Sequence, residues 1–68
     1  MNAKETILLA YKEISNHTGK QYHRDNASAL CKSALKAYFL GNHIEAKDLA
    51  LKALAEFVVD DYTQLTYN

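Results

Sequence analysis

The pattern of apolar and polar positions along the chain predicts three amphipathic helices. Apolar residues recur at steps of three and four, the spacing that places them on one face of a helix. The two glycines, Gly19 and Gly41, suit the left-handed position that ends a helix, and they divide the chain into helical segments. The predicted helices cover about residues 3–18, 26–40 and 43–62. We therefore expect a single all-α domain of three helices over residues 1–68, with a polar connection at residues 19–25.

The ends of the predicted helices also carry capping residues. Asn2 precedes the first helix and Glu5 follows three residues later, which is the spacing of a capping box. Gly41 and Asn42 leave so short a turn that the second and third helices form an antiparallel helical hairpin. The side chains that we expect to be buried together are Ile7, Tyr11, Ile14, Leu30, Ala34, Leu35, Tyr38, Leu49, Ala53, Leu54 and Phe57.

The third predicted helix is apolar over an arc of about 240°, wider than one buried face needs. Its polar strip is formed by Glu45, Asp48, Lys52, Glu56 and Asp60. Beside the core-facing stripe runs a second apolar stripe, formed by Ile44, Leu51, Ala55, Val58 and Tyr62. Soluble monomers rarely expose a large contiguous apolar patch, so this stripe predicts a homodimer or a protein partner. The alternative is that the first helix and the tail cover it within one chain.

Length and composition limit the class of protein. A 68-residue chain buries only about 60 % of its surface on folding, so a partner subunit would add stability. The chain has no Pro and two Gly, which is typical of a helical protein, and its one cysteine, Cys31, excludes an internal disulfide. No apolar run reaches about 18 residues and no secretory leader pattern opens the chain. We therefore expect a cytoplasmic protein without membrane attachment.

The net charge of zero hides a basic half and an acidic half. Residues 1–43 hold six Lys/Arg and three Asp/Glu, whereas residues 44–68 hold two and five. The candidate basic patch consists of Lys20, Arg24, Lys32 and Lys36. Such a patch can bind phosphates, and a small nucleic-acid-associated protein is therefore one alternative. Four cations on a neutral chain are fewer than DNA-binding proteins usually carry, which favours a protein partner instead.

The residues that could carry chemistry do not form a known catalytic or metal-binding pattern. His17, His23 and His43 lack the spacing of zinc ligands, and a closed zinc site needs four ligands. Cys31 lies within the apolar stripe of the second helix, where cysteine behaves as a small hydrophobe. The sequence has no glycine-rich phosphate loop and no nucleophile elbow. We therefore expect a protein that is not an enzyme and uses no metal or other cofactor.

Residues 34–54 resemble one helical hairpin of the tetratricopeptide family, in which small residues let two helices approach closely. The matching residues are Ala37, Tyr38, Gly41, Ala46, Ala53 and Leu54. A single unit predicts a hairpin and not a repeat array.

More of the chain is similar to the ANR family. The shared layout is a short helix, an A-x₂-A segment near a glycine turn, an alanine-rich helix and an aromatic tail. The corresponding residues are Ala34, Ala37, Gly41, Ala46, Ala53 and Tyr62. ANR proteins are very small bacterial proteins that antagonise AraC-type transcription activators by protein contact. The resemblance implies the same kind of partner for this chain.

The sequence thus predicts a small protein–protein interaction module. We expect a regulator that binds and inhibits a protein partner such as a transcription activator, and that forms a homodimer through the second apolar stripe. Two alternatives stay open at this point. One is a nucleic-acid-associated protein that uses the basic patch. The other is a phage-type or plasmid-type inhibitor of a host enzyme, which the sequence does not separate from the first interpretation.

Overall fold

A computed structural model describes the backbone of residues 1–67 and the side chains of residues 1–62. Three α-helices follow one another along the chain: α1 is Ala3–Asn16, α2 is Gln21–Phe39 and α3 is His43–Tyr67. They form an elongated bundle of 43 × 19 × 16 Å, whose length is close to that of α3 alone, about 37 Å. The predicted all-α domain of three helices is confirmed.

The capping signals in the sequence work as predicted at two helix ends. The Asn2 side chain accepts a hydrogen bond from the Glu5 backbone N–H at 2.8 Å, and the Glu5 carboxylate accepts one from the Asn2 N–H at 3.3 Å. After α2, Gly41 has φ of 86°, and its N–H donates to the Tyr38 carbonyl at 3.0 Å. The Asn42 N–H donates to the Ala37 carbonyl at 2.9 Å, which completes a Schellman motif and turns the chain into α3.

The predicted bounds around the first connection are wrong. The first helix ends at Asn16 instead of residue 18, and the second begins at Gln21 instead of residue 26. Most of the predicted connection at residues 19–25 is therefore helical. The Gln21 side chain donates to the Asp25 carboxylate at 2.8 Å, an i,i+4 pair that supports this first turn. α3 continues to Tyr67, beyond the predicted end at residue 62.

The interior is built mainly from small residues. The fully or nearly fully buried apolar side chains are Ala3, Ile7, Ala10, Ala27, Cys31, Ala34, Ala37, Ala46, Ala50, Ala53 and Phe57. Of the eleven predicted core residues, Ile7, Ala34, Ala53 and Phe57 are buried, and the other seven are partly buried against the same clusters. The predicted core is therefore confirmed. Its alanines allow close helix approach, and the larger side chains around them close the core toward solvent.

Candidate functional site on the outer face of α3

The second apolar stripe of α3 is exposed to solvent on the side of the helix away from α1 and α2. Ile44 is 91 % exposed, Val58 and Tyr62 are each 68 % exposed, and Leu51 is 46 % exposed. Ala55 between them is also exposed. The alternative that the first helix and the tail cover this stripe is therefore wrong, since the stripe is exposed and the backbone of the tail continues α3 to Tyr67. α1 packs against the opposite face of α3.

The helical period explains how one helix serves both the core and this outer face. The stripe residues fall within about 60° of one another on a helical wheel at 100° per residue. Ala46, Ala53 and Asp60 lie about half a turn away, and all three are fully buried. Asp48 interrupts the stripe between Ile44 and Leu51, and its carboxylate is 3.3 Å from the Lys52 ammonium. The result is an apolar surface that the Asp48–Lys52 ion pair interrupts near its N-terminal end.

Asp60 corrects the predicted polar strip, because its side chain is fully buried. Its Oδ2 atom accepts a hydrogen bond from the Lys20 backbone N–H at 2.9 Å and lies 2.8 Å from Nε2 of His17. Asp60 thus fastens α3 to the connection between α1 and α2. Gly19 makes room for it, since a Cβ atom at that position would overlap Asp60 Oδ2 and His17 Nε2. The predicted left-handed role of Gly19 is wrong, because Gly41 is the glycine with positive φ.

A second histidine–carboxylate pair lies beside the first. Nδ1 of the buried His23 is 2.7 Å from Oε2 of Glu56, so this member of the predicted polar strip also faces the bundle. The Arg24 guanidinium donates to the backbone carbonyl of His17. The Phe57 ring packs on the His17 imidazole with 4.6 Å between ring centroids. These contacts explain why residues 21–25 are helical: His23 holds the start of α2 against α3, and Arg24 holds it against the preceding connection.

Sequence reasoning missed this polar cluster for a physical reason. His17 and Asp60 are 43 positions apart, and His23 and Glu56 are 33 positions apart. Neither pair has a local spacing that would mark it. The local signals are His17, which falls inside the first predicted helix, and the polar run at residues 19–25, which predicts a connection.

The predicted basic patch is not assembled into one site. Lys20, Lys32 and Lys36 are exposed, but Arg24 is half-buried and its guanidinium is directed to the His17 carbonyl. Arg24 and Lys36 are separated by about 120° around α2 and by about 18 Å along it. The structure thus keeps Lys32 and Lys36 as neighbours one helical turn apart, while the Arg24 guanidinium is used inside the chain.

The other residues considered for chemistry occupy structural positions. Cys31 is fully buried, and burial raises the pKa of its thiol. His43 stacks on Tyr38 with 4.7 Å between ring centroids at the α2–α3 turn. Over the described side chains, no three or more His, Cys, Asp or Glu are grouped to hold a metal ion. Within residues 1–67 no helix has both the length and the apolar character to cross a membrane.

A second apolar surface, which the sequence reasoning did not identify, lies between α1 and α2. It is a shallow groove of about 340 Å³ lined by Lys4, Ile7, Leu8, Leu35, Tyr38 and Phe39. Leu8 is 59 % exposed and Phe39 is 77 % exposed at its rim. The groove is shorter than the α3 stripe, which extends over about 27 Å of helix.

No protein-family model, curated protein or solved structure matches the chain. The candidate site therefore has to be interpreted from its own geometry. The residues on which the helical-hairpin resemblance depends do lie at the α2–α3 contact: Ala37, Ala46 and Ala53 are buried, and Gly41 forms the turn.

Proposed function

We propose that this protein is a small, non-enzymatic protein–protein interaction module of the cytoplasm that binds and inhibits a protein partner. The observation that carries the proposal is the exposed stripe of Ile44, Leu51, Ala55, Val58 and Tyr62 on α3. An exposed apolar surface on a soluble domain, here interrupted by Asp48 near its N-terminal end, marks a site of association. It is presented by a helix whose other face is fixed in the core, so it needs little ordering on binding.

The shape of the stripe selects the kind of partner. A straight apolar band about 27 Å long on a helix fits a second amphipathic helix or a matching groove better than a small molecule. The resemblance to the ANR family suggests an AraC-type transcription activator as one such partner. A phage-type or plasmid-type inhibitor of a host enzyme would use the same surface on a different protein.

The side chains that could carry chemistry are engaged in contacts within the fold, which supports a binding function without catalysis. The two histidines nearest to carboxylates, His17 and His23, hold helices together, and the Cys31 thiol is enclosed by the core. A catalytic cysteine needs a partly exposed, electropositive environment, which this position does not offer. Lys32 and Lys36 on α2 are only two neighbouring surface cations, so they give weaker support to nucleic-acid binding than the stripe gives to protein binding.

Affinity capture from a nuclease-treated bacterial lysate tests the proposal. Wild-type protein should retain a defined protein partner after nucleic acid has been removed. Leu51→Lys and Val58→Lys should lose that partner, because each places a charge inside the apolar contact. Leu8→Lys, an exposed apolar residue on the α1–α2 groove, is the matched control and should retain it. Loss of the partner on nuclease treatment, or equal capture by wild type and both stripe variants, would contradict the proposal.

Folding of each variant is checked by far-ultraviolet circular dichroism before capture. Both stripe substitutions are at exposed positions, so they should leave the helix content unchanged. For the activator hypothesis, a reporter driven by an AraC-type activator should be repressed by wild-type protein and not by Leu51→Lys. Equal repression by both would show that another surface makes the contact.

A further inference from the structure

The exposed side of α3 has the seven-residue repeat of a coiled-coil seam. Ile44, Leu51 and Val58 are spaced seven residues apart. A second row, Asp48, Ala55 and Tyr62, follows each of them by four residues. The two rows alternate at steps of four and three, as the d and a positions of a heptad do, and all six side chains are exposed. A repeat of seven keeps the seam facing a second helix over its whole length.

We propose that the occupant of this seam is the α3 helix of a second copy of the chain, paired antiparallel. The proposal rests on the proposed function, since it assigns a partner to the same stripe. In the register that overlaps the whole stripe, Ile44 packs against Tyr62 of the second copy, and Leu51 packs against Ala55 of the second copy. The two-fold axis passes near residue 53, and each contact therefore occurs twice.

The charges beside the seam decide against a parallel pair. In a parallel pair, Asp48 of one copy would face Asp48 of the other inside the seam. Lys47 would also lie beside Lys52 of the other copy, because flanking positions five residues apart meet across a parallel coiled coil. Both contacts bring like charges together next to an apolar surface, where charge is costly to desolvate.

Reversing one helix removes both conflicts. Asp48 then lies opposite Val58 of the second copy, at the edge of the seam, and keeps its own partner Lys52 at 3.3 Å. Lys47 lies beside Asp61 of the second copy, and the two-fold symmetry makes this ion pair twice. The Asp61 side chain is 67 % exposed, and its Oδ1 atom lies 4.0 Å from Nε2 of His17 in its own chain, which leaves the carboxylate open to a second cation. The two Lys52 side chains approach the axis, but each is already paired with Asp48 of its own chain.

The size of the seam sets the strength of the dimer. A band about 27 Å long and about 10 Å wide lies at or below the lower end of stable protein interfaces. We therefore expect association in the micromolar to submillimolar range and exchange between copies. Such a dimer leaves the stripe available to a protein partner that binds it more tightly, so self-association and partner binding compete.

Cysteine cross-linking distinguishes the two orientations. In the antiparallel dimer, position 44 of one copy meets position 62 of the other, whereas positions 44 and 44 are about 27 Å apart. A mixture of Ile44→Cys and Tyr62→Cys proteins should therefore form the mixed disulfide dimer on mild oxidation. Either variant alone should not, because a disulfide needs Cα atoms within about 7 Å. Wild type is the control, since Cys31 is fully buried.

Charge exchange gives an independent measurement that needs no oxidation. By sedimentation equilibrium, Lys47→Glu and Asp61→Lys should each weaken the dimer about tenfold, because two ion pairs become two like-charge contacts. The double variant should return to within about threefold of wild type. Lys32→Glu on α2 changes the net charge equally and should have no effect. A disulfide dimer formed by the Ile44→Cys protein alone would overturn the antiparallel dimer. So would a wild-type chain that stays monomeric at submillimolar concentration.

The outcomes separate this inference from the proposed function. If wild type is monomeric while Leu51→Lys still abolishes partner capture, the dimer is wrong and the stripe remains a partner site. If the mixed cross-link forms while stripe variants capture the partner normally, the dimer is supported and the proposed use of the stripe for regulation is contradicted.

Discussion

Replacing Gly19 with alanine should destabilise the fold, although such a change usually stabilises a position whose backbone any residue can adopt. Gly19 is not at positive φ, so the backbone does not require glycine. The conflict is steric, because the new Cβ would lie 2.8 Å from Cγ of Asp60 and overlap its Oδ2 atom. The carboxylate would have to move and would lose hydrogen bonds from His17 and from the Lys20 backbone N–H.

The expected cost follows from those bonds. A hydrogen bond to a charged group contributes about 1.5–3 kcal/mol, and weakening two of them at a buried carboxylate should cost about 2–4 kcal/mol. A chain of this length has a total stability of roughly 3–10 kcal/mol. Gly19→Ala should therefore lower the melting temperature by roughly 10–20 °C.

Urea unfolding followed by circular dichroism measures the effect in two backgrounds. In the wild-type background, Gly19→Ala should lower the free energy of unfolding by the full amount given above. In an Asp60→Ala background the same change should cost less than about 1 kcal/mol, because the carboxylate is gone and the His17 ring, no longer held by it, can turn away from the new Cβ. Equal losses of unfolding free energy in both backgrounds, or no loss in wild type, would refute the inference that Gly19 leaves room for the Asp60 carboxylate.

Three further predictions concern the core, the α2–α3 turn and alkaline pH. Leu54→Ala should cost about 2–3 kcal/mol in urea unfolding, near the lower end for leucine because this side chain is only partly buried; a change below about 0.5 kcal/mol would contradict its packing. Gly41→Ala should cost about 1–2 kcal/mol, since φ of 86° disfavours a Cβ while nothing lies within 4 Å of it; a stabilising effect would contradict the Schellman turn. Burial raises the pKa of Cys31 above the ordinary 9.0, so the unfolded chain loses this proton first and stability should fall as pH rises above about 9. Cys31→Ala should flatten that fall, and identical pH profiles would contradict the burial of the thiol.

The parts of the fold that local signals determine could be predicted from the sequence. The Asn2 capping box and the Gly41 turn depend on residues within five positions of one another, and both form as expected. The apolar periodicity likewise identified the core of α3 and its outer stripe. An arc of about 240° is wider than one buried face needs, so the pattern predicted surplus apolar surface, and the structure leaves that surface exposed.

The start of α2 and the burial of Asp60 could not be predicted in this way. A polar run at residues 19–25 is normally a solvated connection. Here it is helical because His23 pairs with Glu56, 33 positions away, and because Arg24 donates to the His17 carbonyl of the preceding connection. A charged residue is rarely buried unless it is paired, and the partners of Asp60 become visible only when α3 is folded back onto the first connection. Tertiary contacts decided these positions against their local preference.

The claim that the α3 stripe is the recognition surface is tested most directly by nuclear magnetic resonance. Isotope-labelled wild-type protein is titrated with the partner obtained by affinity capture, and amide shifts are followed for each residue. Resonances of Ile44, Leu51 and Val58 should change or broaden, while those of Leu8 at the α1–α2 groove and Lys32 on α2 should not. Changes confined to the groove or to the α2 lysines, with the stripe unaffected, would contradict the account.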